Sequence, residues 1–172
     1  MSGVSIRRVE SLDETLVAGL SSLLIDAVHG GASVGFLAPL TEDRARRYWE
    51  QVAEALSRDT ALWVAEDDGR IVGSVQLCSC LKENGRHRAE VQKLFVLTSH
   101  RGLGVATKLM AALEQFARGD QRSLLVLDTI AASVAESVYA HLGWLKVGEI
   151  PVYAAMPDGE LRPTAYYYKR LG

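Results

Sequence analysis

Cysteine is nearly absent from this sequence: Cys78 and Cys80 are the only two. They stand two apart in a strand-like run, so both point to one face, where a disulfide between such near neighbours is geometrically poor. Two thiols without nearby ligands make a poor metal site, so the pair reads as buried apolar filler and no metal is expected. No apolar run approaches the roughly 20 residues that span a bilayer. The opening Met1-Ser2-Gly3-Val4-Ser5-Ile6-Arg7-Arg8 has no hydrophobic signal core, and a cytoplasmic protein is expected. Nor does one sign of charge dominate. Nineteen basic and 21 acidic residues, mixed throughout, give a formal net charge of −2. That balance offers no whole-domain electrostatic case for nucleic acid or an anionic membrane. No internal repeat, low-complexity segment or linker divides the chain.

What is present describes one globular domain over residues 1–172. The chain is 48% hydrophobic and 23% charged, an ordinary composition for a folded protein of this length. Val4 to Val9 reads as a strand. Ser11 stands three residues before Glu14, a capping-box spacing, and Leu16, Leu20, Leu23, Leu24 and Ala27 then recur at helical spacing. Three glycines in seven residues make 29–36 a loop. Thr41 can cap a second helix whose buried stripe is Ala45, Tyr48, Trp49, Val52 and Leu56. Ala61 to Glu66 and Ile71 to Cys80 flank Asp68-Gly69, a hairpin signal. Ala89 to Leu97 is a further strand, and a helix begins near Gly104 with Leu109, Leu113 and Phe116 inward. Leu124 to Leu127 is a continuous apolar run, as in a strand covered on both faces. A short helix over 133–142 and two strands near 144–153 and 165–169 complete the chain. The order β-α-α-β-β-β-α-β-α-β-β predicts an α/β fold, a mixed sheet of about seven strands with helices on both faces. Its parallel pair should be the two strands joined by the helix after Gly104, because parallel neighbours need a crossover.

The chemistry concentrates where the strand ending Leu94-Phe95-Val96-Leu97 runs through Thr98-Ser99-His100-Arg101-Gly102-Leu103-Gly104 into that helix. The first amides of a helix lack internal partners and, with the helix dipole, make a site for phosphate. Gly102 and Gly104 let the backbone approach a bulky anion, and Arg101 adds a cationic fork. A tight turn opening a capped helix is the competing reading of this segment alone. A Walker loop is absent, and Thr107 stands where a Rossmann fingerprint needs its third glycine.

Arg101-Gly102-Leu103-Gly104-Val105-Ala106 resembles the Arg/Gln-x-x-Gly-x-Gly/Ala core of the Gcn5-related N-acetyltransferase (GNAT) family. Tyr139-Ala140-His141-Leu142-Gly143-Trp144 resembles that family's Tyr-x-x-x-Gly-Phe block, with Trp for Phe, and the element order is similar over nearly the whole chain. The resemblance implies an N-acetyltransferase using acetyl-CoA. Amides of Gly102, Leu103, Gly104, Val105, Ala106 and Thr107 would hold the diphosphate. Backbone groups of Leu94, Phe95 and Val96 would align the pantetheine, and one amide there would polarise the acetyl carbonyl, an interaction worth about 3 kcal/mol. Tyr139 would protonate the leaving thiolate; its other reading is a core aromatic on the Ala135, Val138, Leu142 stripe. Glu90 aligns with the general base of several members. It lies four residues before Leu94, about 13 Å at 3.3 Å per residue, so it would act through water; its other reading is an exposed edge charge. Asp128, at a strand end where ligands gather in open α/β sheets, reads as a second base or an ammonium site, or as a turn former. The resemblance departs at Ala132, where many members carry Asn; Ser133 is the candidate to replace its cofactor contact.

Several stretches resemble the tabtoxin resistance branch of the family: 28–36, 88–94, 133–136, 157–159 and 163–165. They imply a small amino-acid-like acceptor, with a β-lactam-containing toxin as one example, and place His29 and Phe36 in acceptor recognition; the other reading of His29 is a cap on the first helix. Direct transfer in a ternary complex is expected, since neither cysteine has a histidine positioned to activate it. A homodimer is compatible with the resemblance. Two other functions are compatible as well: acetylation of protein amino termini or lysines, and a non-catalytic acyl-CoA sensor.

Overall fold

The computed structural model describes residues 3–56 and 58–172. Seven strands and four helices follow the order read from the sequence. They are β1 (Ser5–Val9), α1 (Glu14–His29), α2 (Glu42–Ala55), β2 (Thr60–Asp67), β3 (Arg70–Ser79), β4 (Arg88–Val96), α3 (Val105–Gly119), β5 (Leu124–Ile130), α4 (Val134–His141), β6 (Leu145–Ala155) and β7 (Leu161–Arg170). One sheet contains all seven strands in the spatial order β1-β2-β3-β4-β5-β7-β6. Every neighbouring pair is antiparallel except β4 and β5, the two joined by α3.

Helices cover both faces. Leu62 lies opposite Gln76, and the Gln76 amide donates to the Tyr48 hydroxyl of α2 at 2.9 Å. The next residue, Trp63, points the other way and meets Phe116 of α3 at 5.3 Å between ring centroids. The anticipated stripe of α1, Leu16, Leu20, Leu23, Leu24 and Ala27, is wholly buried. On α2, Ala45, Trp49 and Val52 are buried and Tyr48 is half-buried. No described helix is long and apolar enough to cross a membrane.

Three expectations are corrected. The first helix is capped by Asp13, whose Oδ1 accepts from the Leu16 amide at 2.8 Å. Ser11 lies two residues outside, because the helix starts at Glu14 and leaves no capping box to close. The apolar run of β5 alternates instead of being covered on both faces: Leu125 and Leu127 are buried, Leu124 and Val126 half-buried. The long helices α1 and α3 pack on β1 to β4, and β5 is met by the short α4. Cys78 and Cys80 are free and half-buried, not core filler. The Cys78 thiol donates to Gln92 Oε1 at 3.5 Å.

Asp13→Ala should lower unfolding stability by about 1 kcal/mol, while Ser11→Ala should change it by less than about 0.5 kcal/mol. Urea denaturation of the two variants checks the assignment of the cap.

Candidate active site

The parallel strands β4 and β5 bond to each other only over Arg88–Glu90 and Leu124–Val126. Past that point β5 continues its ladder with β7, and β4 with β3, so the two part and a groove opens between them. The parting coincides with a bulge in β4. From Ser74–Phe95 to Gln76–Gln92 the register takes two steps on β3 and three on β4, and Lys93 in the extra stretch has φ +53°. The edge of β4 that faces the groove therefore carries backbone groups with no neighbouring strand.

Two cavities occupy the groove. One, of about 510 Å³, runs from the mouth of α3 along Leu94, Phe95 and Val96 to α4. Gly102 and Gly104 line its mouth, each at φ +76°, and a Cβ added to either would meet nothing within 4 Å. L side chains rarely adopt this backbone, so glycine sets the approach. No side chain caps the N terminus of α3, where Gly104 is the N-cap, and its first amides face the cavity beside Arg101. The second cavity, of about 500 Å³, is walled by the 31–35 loop, β4 from Glu90 to Leu94, Asp128 to Ile130, and Tyr153, Ala154, Met156 and Thr164 of the last hairpin. Both cavities reach Leu94, Ser133, Ala135 and Tyr139. They meet at Tyr139.

The carboxylates are segregated. No aspartate or glutamate lines the α3 cavity, whereas Glu90 and Asp128 line the other. Asp128 is exposed, and its Oδ2 lies 2.9 Å from the buried Thr164 hydroxyl, which also points at the Thr129 carbonyl at 2.9 Å. Tyr139 is 7% exposed and stacks edgewise on Trp144 at 6.0 Å. Burial, reinforced by the Asp128 carboxylate, pushes its phenol up to about 12.

The turn between β5 and α4 is braced from below. Glu136 accepts from the Ala132 amide, from the Tyr167 hydroxyl at 2.6 Å and from Lys146 Nζ at 2.8 Å. The lysine, then the tyrosine, hold its carboxyl below the usual range. Ala132 sits at φ +57°, a conformation that Asn tolerates better. The Ser133 hydroxyl donates to the Ile130 carbonyl at 2.6 Å while lining both cavities.

Of the residues expected at a site, Glu90, Leu94, Phe95, Val96, Arg101, Gly102, Gly104, Val105, Ala106, Thr107, Asp128, Ser133 and Tyr139 are brought to this groove. Leu103 is not part of its lining; its side chain is 64% exposed. The two acceptor residues named from the first loop lie elsewhere. His29 Nε2 accepts from the Leu40 amide at 3.1 Å, fastening the loop to α1. Phe36 packs edge-on against Tyr48 at 5.3 Å. Their neighbours from Gly31 to Gly35 line the cavity instead. Lys93, Gln92, Tyr153 and Thr164 were not anticipated. Lys93 had left a signal, a charge in the inward series Ala89, Val91, Lys93, Phe95.

A model of the acetyltransferase (GNAT) family matches residues 18–144. An N-acetyltransferase encoded in the hisH-hisA intergenic region of Azospirillum brasilense is 32% identical over 130 residues, covering 74% of this chain and 76% of that protein. N-acetyltransferase 8F1 of Mus musculus is 34% identical over 131 residues, 66% of this chain and 59% of its own length. This chain thus spans less than two thirds of that mammalian relative. Among solved structures, an N-acetyltransferase from Staphylococcus aureus Mu50 superposes with a TM-score of 0.81 at 20% identity, covering 99% of this chain and 100% of that one. YncA of Salmonella typhimurium, solved with its cofactor acetyl-CoA, gives 0.77 at 19% identity, covering 98% of this chain and 94% of that one. At these identities the superpositions establish the fold.

The shift at Tyr139 fixes a sign for alkaline stability. An unfolded tyrosine ionises near 10 and the folded one near 12, so stability is lost as pH rises through that window. Tyr139→Phe should make the fall in unfolding midpoint between about pH 10 and pH 12 shallower. An equally steep fall would place this phenol in a wetter setting.

Proposed function

Because this chain belongs to the acetyltransferase (GNAT) family, we propose that it moves the acetyl group of acetyl-CoA onto the amine of a small, amino-acid-like acceptor, by direct attack in a ternary complex. One observation carries this reading: two cavities meet at Tyr139, and the carboxylates that line them are all on one side. An anionic cosubstrate belongs in the cavity without carboxylates, and a cationic amine in the other.

The residues of the α3 cavity fit acetyl-CoA. The uncapped helix mouth with Arg101 suits a diphosphate. The unpaired edge of β4 suits an extended arm that bonds to it as an added strand would. Leu103 would contribute its amide only, and Ser133 a hydroxyl oxygen at the junction. Bound there, acetyl-CoA supplies an activated acetyl thioester.

The remaining chemistry belongs to the chain. Asp128 and Glu90 draw the acceptor ammonium, and one proton passes from it to a single carboxylate, by direct contact if Asp128 is the base and through water if Glu90 is. A backbone N–H at the β4 bulge donates to the carbonyl oxygen as negative charge develops there. As the C–N bond forms and the C–S bond breaks, Tyr139 donates toward sulfur. A phenol near 12 is a weaker acid than a thiol near 8.5, so Tyr139 does not surrender its proton outright. The nitrogen loses its second proton as the amide forms; that proton reaches sulfur by way of the Tyr139 hydroxyl, so CoA leaves as the thiol, the phenol stays neutral, and the first proton remains with the base. Segments that resemble the tabtoxin resistance branch form the Gly31–Gly35 wall of the acceptor cavity, which supports an amino-acid toxin or antibiotic among the acceptors.

Release of free CoA across small amines, amino acids and short peptides tests the proposal. Tyr139→Phe should lower kcat by about 10²- to 10⁴-fold and leave acetyl-CoA affinity within about threefold, a change under 1 kcal/mol. Turnover of peptides alone would overturn the acceptor assignment.

A further inference from the structure

The acceptor cavity contains one cation that the proposed chemistry leaves unused. Lys93 sits in the β4 bulge at φ +53° with its side chain in the cavity wall. Its Nζ donates to the Val34 carbonyl at 2.7 Å and lies 6.0 Å from the Tyr48 ring centroid. An ammonium carries three donors, and among the described residues Val34 is its hydrogen-bond partner. The acidic groups of the same cavity, Glu90 and Asp128, make no ion pair with it within 4.0 Å among the described residues. Both act on it from a distance, opposing the burial that lowers its pKa. The cavity thus holds a half-buried positive group on one wall and two carboxylates set apart from it.

That arrangement is the complement of a zwitterion. A simple amine would need the carboxylates only, and a lysine half-buried beside it would repel it. An acceptor with its own carboxylate satisfies the two spare donors of Lys93 and presents its ammonium to Asp128 and Glu90. Resting on the acetyltransferase reading above, we propose that Lys93 receives the carboxylate of a free amino acid, and that it selects such acceptors over amines and peptides whose α-carboxyl is blocked. The loop carbonyl of Val34 fixes the direction of the ammonium, so the 31–35 loop and the β4 bulge together set the distance between the two charged ends of the acceptor.

The test compares each standard L-amino acid with its carboxamide, read as kcat/KM for CoA release and as calorimetric affinity for the CoA-loaded protein. The unsubstituted enzyme should favour the acid over the amide by about 10- to 100-fold, the range of one charged hydrogen-bonded contact. Lys93→Met should bring that ratio close to one, and Lys93→Arg should restore part of it. A purely structural lysine would lower acids and amides together, leaving the ratio unchanged, and that result overturns the proposal. So does an unsubstituted enzyme that uses amides as well as acids, a comparison that holds even where Lys93→Met fails to fold. In both cases the acetyltransferase reading stands. Absence of CoA release with every amine would sink that reading, and this one with it.

Discussion

The hydrogen-bond ladder between β4 and β5 stops after three residues on each strand, and the site is built in the space this leaves. Unpaired backbone in a sheet interior is costly, so the parting has to be enforced. The parting coincides with the β4 bulge, while β4 keeps its ladder with β3 and β5 its ladder with β7. What remains is a strand edge facing a groove, with the mouth of α3 at one end and a polar chamber at the other. The same kind of edge that would invite aggregation on the outside of a sheet here lines a groove within it.

The placement of the carboxylates divides that groove into two unlike chambers. Helix amides and Arg101 make one end attractive to anions, while Asp128 and Glu90 make the other attractive to cations. Tyr139 stands between them as a neutral phenol, which burial makes still harder to ionise. Its position depends on a turn that carries an unfavourable backbone angle at Ala132. Glu136, with Tyr167 and Lys146 beneath it, compensates by receiving the Ala132 amide. The brace makes the junction rigid without placing any of its own charge in either chamber's lining.

Much of this was legible in the sequence, for physical reasons that are local. Helical periodicity located α1, α2 and α3, and the need for a crossover identified the parallel pair. The glycines before α3 and the Tyr139 block marked the groove. What escaped depends on distant partners. Ser11 and Asp13 are equally good caps by composition, and only the true start of the helix chooses between them. His29 and Phe36 lie in the right loop, but packing turned them toward Leu40 and Tyr48 and left the wall to their neighbours. The β4 bulge is a matter of register with β3, invisible in a single strand, although Lys93 interrupting an inward apolar series was a trace of it.

In the proposed complex the diphosphate of acetyl-CoA is gripped by the mouth of α3 while its arm lies along β4. Backbone amide resonances recorded on titration with acetyl-CoA test this directly. The largest shifts should fall at Gly102, Gly104, Ala106 and Thr107 and continue through Leu94 to Val96. Shifts that spare these amides and gather elsewhere, or no shifts at all, would contradict it.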